Sequence, residues 1–340
     1  MKKQFATFSS FLVDKKNLLA FSAGIDSSAL FFLLLEHHIP FDMALVNYGT
    51  REQSNTEEAH AIALAKEHGL QCYTAKAPKF ASNFEKNARD FRYTFFEELI
   101  MEHGYDNLLT AHQLNDRMEW FLMRLSKGAG LNELVGMEAI HKRPHYTLIR
   151  PLITYPKAEL LGYLQEHKHP YFVDESNHDD RHERNRFRTR FSDPLIAQYG
   201  DGITRSFAYL EQDQAVLNSL YQTIHTQKQL RILRLHHPQA RMTAADRTLK
   251  ELGYLLSAPQ RREIETHASI VIGGKWVVAL SGTMLYIAPY SRDPMPKTFK
   301  ERCRIQGIPP KIRPYLYREN MAPETTIHSR FSVILKPLED

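Results

Sequence analysis

Residues 18–35, LLAFSAGIDSSALFFLLL, constrain the fold more than any other stretch. The apolar run 18–21 is short and unbroken, as expected for a strand buried on both faces of a parallel sheet. Residues 29–35 are helix formers, and Asp26, Ser27 and Ser28 are residues that favour helix N-caps. The stretch therefore reads as strand, tight loop, helix. A helix start leaves backbone N–H groups free and carries partial positive charge, which suits an anion such as phosphate. Gly24 allows close backbone approach, and Ser22, Ser27 and Ser28 add hydroxyl donors. An ordinary capped turn between strand and helix would show the same residue types.

The first half of the chain repeats this alternation. DMALVN (42–47), LQCYTAK (70–76) and DNLLTAH (106–112) read as strands. Residues 56–69 and 83–104 read as helices ended by Gly69 and Gly104, and a third helix follows His112. Repeated strand–helix units argue for an α/β fold, a Rossmann-like parallel sheet with helices on both faces. Ligands of such sheets bind at the carboxyl ends of the strands. The loops at 22–27, 47–51 and 111–116 are therefore the candidate site. After Pro194 the pattern changes. The chain divides into a catalytic domain (1–194), a helical linker (195–227), a small α+β domain (228–290) and a basic tail (291–340). Within 268–289, Gly273-Gly274 and Ser281-Gly282 mark hairpin turns.

Familiar phosphate and nucleophile motifs are absent. GxxxxGK[ST], GxGxxG and GxSxG do not occur at the first loop. The two cysteines, Cys72 and Cys303, are far apart, which argues for a reducing cytoplasm and against a CxxC metal or redox site. No run of about 18 apolar residues indicates a membrane span, and charged residues interrupt the N-terminus too early for a signal peptide. The net charge of +5 permits nucleic-acid binding. RHERNRFRTR (181–190) holds five arginines, and the last fifty residues hold ten Lys/Arg against six Asp/Glu. Clustered arginines suit phosphate contacts. His178 and His182 are four apart, but no further ligand pattern supports a zinc site. Asp116 and Glu119, three apart, share a helix face and could hold Mg²⁺ or a substrate ammonium, or simply face solvent.

The first loop, Ser22-Ala23-Gly24-Ile25-Asp26-Ser27, resembles the SGGxDS loop of the PP-loop ATP pyrophosphatases, with Ala23 for a glycine. If position 23 needs positive φ, alanine is strained there. Further segments resemble the tRNA(Ile)-lysidine synthetase family. LVNYGTR is similar to its HVNHGLR, with Tyr48 for His and Arg51 retained. NARDFRY is similar to its AR..RY helix, matching Arg89 and Arg92. AHQLNDRMEW resembles AHxxDDxxET, with Asn115 and Trp120 as departures and His112, Asp116 and Glu119 retained. Residues 149–190 match its RPLL…EL…P…D.SN.D….RNRIR series through Arg150, Lys157, Arg184, Asn185 and Arg186.

The resemblance implies an enzyme that uses ATP and Mg²⁺. It would adenylate C2–O of the wobble cytidine in a CAU-anticodon tRNA(Ile) and then attach free L-lysine. Ser22, Ala23, Gly24, Ile25, Asp26 and Ser27 would bind ATP, with Asp26 also on the metal. Asp116 and Glu119 would take the lysine or the metal. Arg51, Arg92 and Arg186 would contact phosphates or the activated intermediate. No membrane is implied, and a homodimer is left open. Two readings compete: a small-molecule PP-loop ligase of the NAD or GMP synthetase type, and a non-catalytic tRNA-binding protein, which Ala23 and Asn115 would suit.

Overall fold

The computed structural model describes residues 2–50, 53–173 and 183–326. The chain forms two compact units that meet in sequence between Glu211 and Gln212.

The first unit opens with α1 (Lys2–Leu12), β1 (Asn17–Ala20) and α2 (Ile25–Glu36). It continues with β2 (Phe41–Asn47), α3 (Gln53–Glu67), β3 (Cys72–Lys76), α4 (Phe84–His103) and β4 (Asn107–Leu109). Then come α5 (Leu114–Leu125), α6 (Leu131–Val135), β5 (Ile140–Lys142), β6 (Thr147–Ile149) and α7 (Lys157–Glu166). Among the described residues its sheet has the order β3-β2-β1-β4-β6-β5, parallel except for the edge strand β5. The expected parallel α/β fold is therefore what forms. The chain steps outward from β1 through β2 to β3, then returns to place β4 on the other side of β1. That reversal opens a crevice at the carboxyl ends of β1 and β4.

Alternation along β1 explains why its run is apolar throughout. Leu19 packs on one face with α2, α3 and α7, against Phe31, Leu64 and Leu160. Leu18 packs on the other face with Phe96, Leu99 and Ile100 of α4. Each fully buried leucine contributes roughly 1.5–3 kcal/mol of transfer free energy. The glycines expected to end α3 and α4 do so in left-handed geometry, with φ +69° at Gly69 and +68° at Gly104.

After α8 (Glu183–Phe187) and a π-helical turn at Arg188–Ser192, α9 (Asp193–Ser219) runs past the end of the first unit, kinked at Tyr199. The helix expected over 195–227 stops there, and Tyr221–Gln227 is β7. YQTIHTQ carries β-branched residues at 223, 224 and 226, and Lys228, at φ +49°, turns the chain into β8 (Leu230–Leu235).

The second unit adds α10 (Ala240–Glu251), α11 (Ala258–Thr266), β9 (Ser269–Ile272), β10 (Trp276–Ser281) and β11 (Met284–Pro289). Its antiparallel sheet has the order β7-β8-β11-β10-β9, and both predicted hairpins at 268–289 form. One face packs α10 and α11 through Ala244, Leu249 and Ile264. The other packs α12 (Lys297–Ile305) and α13 (Arg313–Arg318) through Cys303, Ile312, Tyr315 and Leu316. The region read as a basic tail thus supplies half of this core, as far as α14 (Pro323–Thr326). No described helix is long and apolar enough to cross a membrane.

Candidate active site

The loop after β1 is built differently from a side-chain-capped turn. α2 begins at Ile25, and its N-cap is Gly24 in extended geometry with no side-chain cap. Asp26, Ser27 and Ser28, expected as caps, lie inside the helix. The N–H groups of the first turn are left to a ligand rather than to a cap. Ser27 Oγ accepts from the Ser22 N–H at 3.2 Å, donates to the Gly24 carbonyl at 3.1 Å and lies 3.1 Å from Ser22 Oγ. Ala23 beneath them is fully buried with φ +58°, so the alanine does occupy the left-handed region. Its carbonyl accepts from the Phe172 N–H at 2.9 Å, which ties the loop to the segment after α7.

Beside the loop lies a cleft of about 380 Å³. Ser22, Gly24, Ile25, Asp26 and Ser27 form one wall. Thr110, His112 and Asp116, from the end of β4 and the start of α5, form another. Arg92 of α4, Lys157 of α7, Arg184 of α8 and Arg188 complete it. The cleft sits at the reversal of strand order, so the fold itself brings these distant segments together.

Asp26 has a buried Oδ1 with no hydrogen-bond partner in the described structure. Burial and the neighbouring Asp116 push its carboxyl up to about 7, against the pull of Lys157 and Arg188. A buried carboxylate oxygen without a partner fits a hard cation such as Mg²⁺, which takes oxygen ligands and brings its own charge. No group of three His, Cys, Asp or Glu is placed to hold a metal among the described residues, so phosphate oxygens and water would complete such a shell.

Asp116 and Glu119 share one face of α5, as their spacing predicts, but solvent is not what they face. Asp116 Oδ1 lies 3.1 Å from Arg184 Nη2 and 3.6 Å from Arg188 Nη2. Glu119 Oε2 accepts from Arg188 Nε at 2.9 Å, and its Oε1 pairs with Arg184 Nε. Burial holds the Glu119 carboxyl above its ordinary range, against the pull of both arginines. Burial works against the Arg184 guanidinium, yet Asp116 and Glu119 hold it above its ordinary value. Asp116 also accepts from the Gln113 N–H at 3.2 Å, a capping contact that fixes the start of α5.

His112 is pushed down to about 4, by burial first, with Arg150, Arg184 and Arg89 adding to it against Asp116. It is a neutral imidazole at neutral pH, with Nδ1 3.0 Å from Thr110 Oγ1. Asn115 points away from the cleft. Its Nδ2 donates to Asp193 Oδ1 at 2.7 Å and its Oδ1 accepts from the Lys157 N–H at 3.1 Å. An amide can do both, whereas an aspartate would set a carboxylate against Asp193.

Of the residues expected in the site, Ser22, Gly24, Ile25, Asp26, Ser27, Arg92 and Asp116 line the cleft. Ala23 supports it from below, and Glu119 lies one turn deeper, 1% exposed. Arg186 is exposed and does not line the cleft, whereas its neighbours Arg184 and Arg188 do. Arg51 and the pair His178 and His182 lie outside the described residues. Lys157 and Arg184 stand in the matching motifs, but nothing local in the sequence assigned them to the carboxylates or the cleft. A second hollow of about 530 Å³ shares Ser22, Gly24 and Phe172 with the first and is walled by Leu45, Val46, Tyr48 and Phe84.

Residues 1–195 match the family model of the PP-loop domain. A tRNA(Ile)-lysidine synthase from Campylobacter jejuni is 44% identical over 313 residues, covering 92% of this chain and 95% of that protein. A tRNA(Ile)-lysidine synthase from Helicobacter pylori is 43% identical over 320 residues, covering 93% and 94%. The chain belongs to the tRNA(Ile)-lysidine synthase family. Membership makes it an enzyme, a ligase, and a user of ATP through its PP-loop. Among solved structures, the U34-tRNA thiolase NcsA from Methanococcus maripaludis, with its [4Fe-4S] cluster, is similar at a TM-score of 0.51 and 18% identity. That likeness covers 62% of this chain and 77% of the thiolase and shows the shared fold.

Proposed function

We propose that this enzyme joins the ε-amine of free L-lysine to C2 of the wobble cytidine in a CAU-anticodon tRNA(Ile), through an adenylated tRNA. The observation that carries the reading is one cleft with two kinds of wall. The uncapped helix start with Asp26 is on one side, and the carboxylate–arginine cluster of Asp116, Glu119, Arg184 and Arg188 is on the other. The shared edge at Ser22 and Gly24 lets ATP lie across both hollows, base against Leu45, Val46 and Phe84 and phosphates at the loop.

In the first step the C2 oxygen attacks the α-phosphorus, the bond to the β-phosphate oxygen breaks, and pyrophosphate leaves. First-turn N–H groups, Lys157 and Arg92 stabilise the charge that develops on the phosphates. Mg²⁺, held by Asp26 and the phosphates, would supply further charge neutralisation. In the second step the lysine amine adds to C2, the C2–O bond breaks and AMP leaves. Asp116, which lines the cleft, would bind the incoming ammonium and accept its proton once an arginine gives way. Neutral His112 offers a hydrogen bond without adding positive charge next to the ammonium. The reacting base enters as a flipped-out nucleotide, since a stacked cytidine could not reach a cleft.

The test is to incubate the protein with ATP, labelled lysine and total tRNA. ATP-dependent label in tRNA is the expected result. Label only in small molecules would favour the small-molecule ligase, and tRNA binding with no label would favour a non-catalytic binder.

A further inference from the structure

Arg184 and Arg188, four apart, turn inward to Asp116 and Glu119. Two other pairs with the same spacing share this segment. Phe187 and Phe191 hold their rings 5.6 Å apart at 49°, and Phe191 is 50% exposed. Arg186 and Arg190 are both exposed. α8 buries none of its residues. The turn at Arg188–Ser192 is π-helical, and its extra residue shifts where the following side chains point. The segment that lines the cleft through Arg184 and Arg188 therefore also exposes Phe191, its ring against Phe187, and the arginine that precedes each ring in sequence, Arg186 and Arg190.

A base that flips into the cleft leaves its neighbours without a stacking partner. Aromatic rings among arginines are what unpaired nucleotides stack on, because every base has a π-face and every nucleotide a phosphate. An apolar protein partner would not call for the flanking cations. We propose that Phe187 and Phe191 form a stacking platform for an unpaired anticodon-loop base next to the target cytidine, with Arg186 and Arg190 contacting its phosphates. The inference rests on the tRNA reading above and adds the surface that would receive the neighbouring nucleotide.

The test uses the full chain and a CAU anticodon stem-loop RNA, with single abasic substitutions across the loop. Phe191→Ala should weaken RNA binding about tenfold, and Phe191→Trp should restore it. The slope of log affinity against log salt should stay unchanged in Phe191→Ala, whereas Arg190→Ala should make it shallower by about one. One abasic position should reproduce the Phe191→Ala loss and show no further loss in that variant. ATP binding should be unchanged in both variants, which confirms that they fold. Wild-type affinity in Phe191→Ala overturns the proposal, as does an equal further loss for every abasic RNA. A change in oligomer mass with unchanged RNA affinity also overturns it, by assigning the face to a second copy of the chain. Failure of wild-type enzyme to modify tRNA would refute the functional reading, while the affinity comparison would still decide the platform.

Discussion

The two units use their sheets in opposite ways. In the first, every strand but the edge strand β5 is parallel and the carboxyl ends share one edge of the sheet, where buried polar side chains collect: Ser27, Thr110, Gln113 and Glu119. In the second, helices cover both faces of an antiparallel sheet, and the buried polar pairing found there ties helices together. Asp246 of α10 meets Lys250 at 2.9 Å and Arg261 of α11 at 3.0 Å, outside the described hollows. The same chemistry, a buried acid between two cations, occurs beside the strand-end cleft at Glu119 and between two helices at Asp246. What separates them is position: Arg184, Arg188 and Asp116 line a cleft, whereas Asp246 lies between two helices. Asp26 Oδ1 is buried without a partner beside a cleft, and that is the mark of a group waiting for a ligand.

The largest expected effect falls on that unmet group. Asp26→Asn should lower lysidine formation at least about a hundredfold, since a charge-stabilising contact is lost. It should also stabilise the ligand-free protein at pH 8. The folded carboxyl is raised from 3.8 to about 7, so its stabilising contribution is full below pH 4 and is lost as pH rises through 7. The difference amounts to at most roughly 4 kcal/mol, less where water reaches the carboxyl. Melting curves of ligand-free wild type at pH 5 and 8 should diverge, and those of Asp26→Asn should diverge less. Equal behaviour would show that Asp26 is not desolvated.

Matched deletions of the two buried acids sharpen the contrast. Glu119→Ala leaves Asp116 as the remaining carboxylate for Arg184 and Arg188 and should destabilise the first unit by about 1–3 kcal/mol, below the full buried-pair range because Asp116 still pairs both and Arg184 is 38% exposed. It should also reduce activity. Asp246→Ala should cost about 1–2 kcal/mol, as Lys250 and Arg261 reach solvent, and should leave the rate of the chemical step unchanged in single-turnover assays. Loss of that rate in Asp246→Ala would break the division between the acid that joins two helices and the cluster beside the cleft.

Two smaller substitutions restore residues typical of the family. Asn115→Asp puts a carboxylate where Asp193 now accepts, and should destabilise by about 1–3 kcal/mol in denaturant melts. Ala23→Gly relieves about 1 kcal/mol of left-handed strain but removes a buried methyl worth about 0.8 kcal/mol. The two nearly cancel, so stability and ATP affinity should stay close to wild type. A large loss of either would assign the methyl a role beyond packing.

Local information made the first unit readable. β1, its loop and α2 were evident because one apolar run is long enough for a strand and the next for a helix. The start of α2 falls before the residues with the better capping propensity, Asp26, Ser27 and Ser28, because extended geometry at Gly24 sets the N-cap. Tyr221–Gln227 looked like more helix because its polar alternation is only seven residues long and takes its register from β8. The spacing of Asp116 and Glu119 shows a shared face, but their arginine partners are 65 to 72 residues away and no local pattern encodes them. Nothing local distinguishes Arg186 from Arg184 and Arg188 either: five arginines in ten residues do not say which ones turn inward.

If one cleft activates the tRNA with ATP and then delivers lysine to it, the two half-reactions can be separated. The most direct measurement supplies ATP labelled at the α-phosphate and unmodified CAU-anticodon tRNA(Ile), with lysine withheld. Label should appear on the tRNA and be released as AMP when lysine is added, and Asp26→Asn should do neither. Release of labelled AMP on adding lysine, with the tRNA never labelled beforehand, would contradict activation of the tRNA by adenylation.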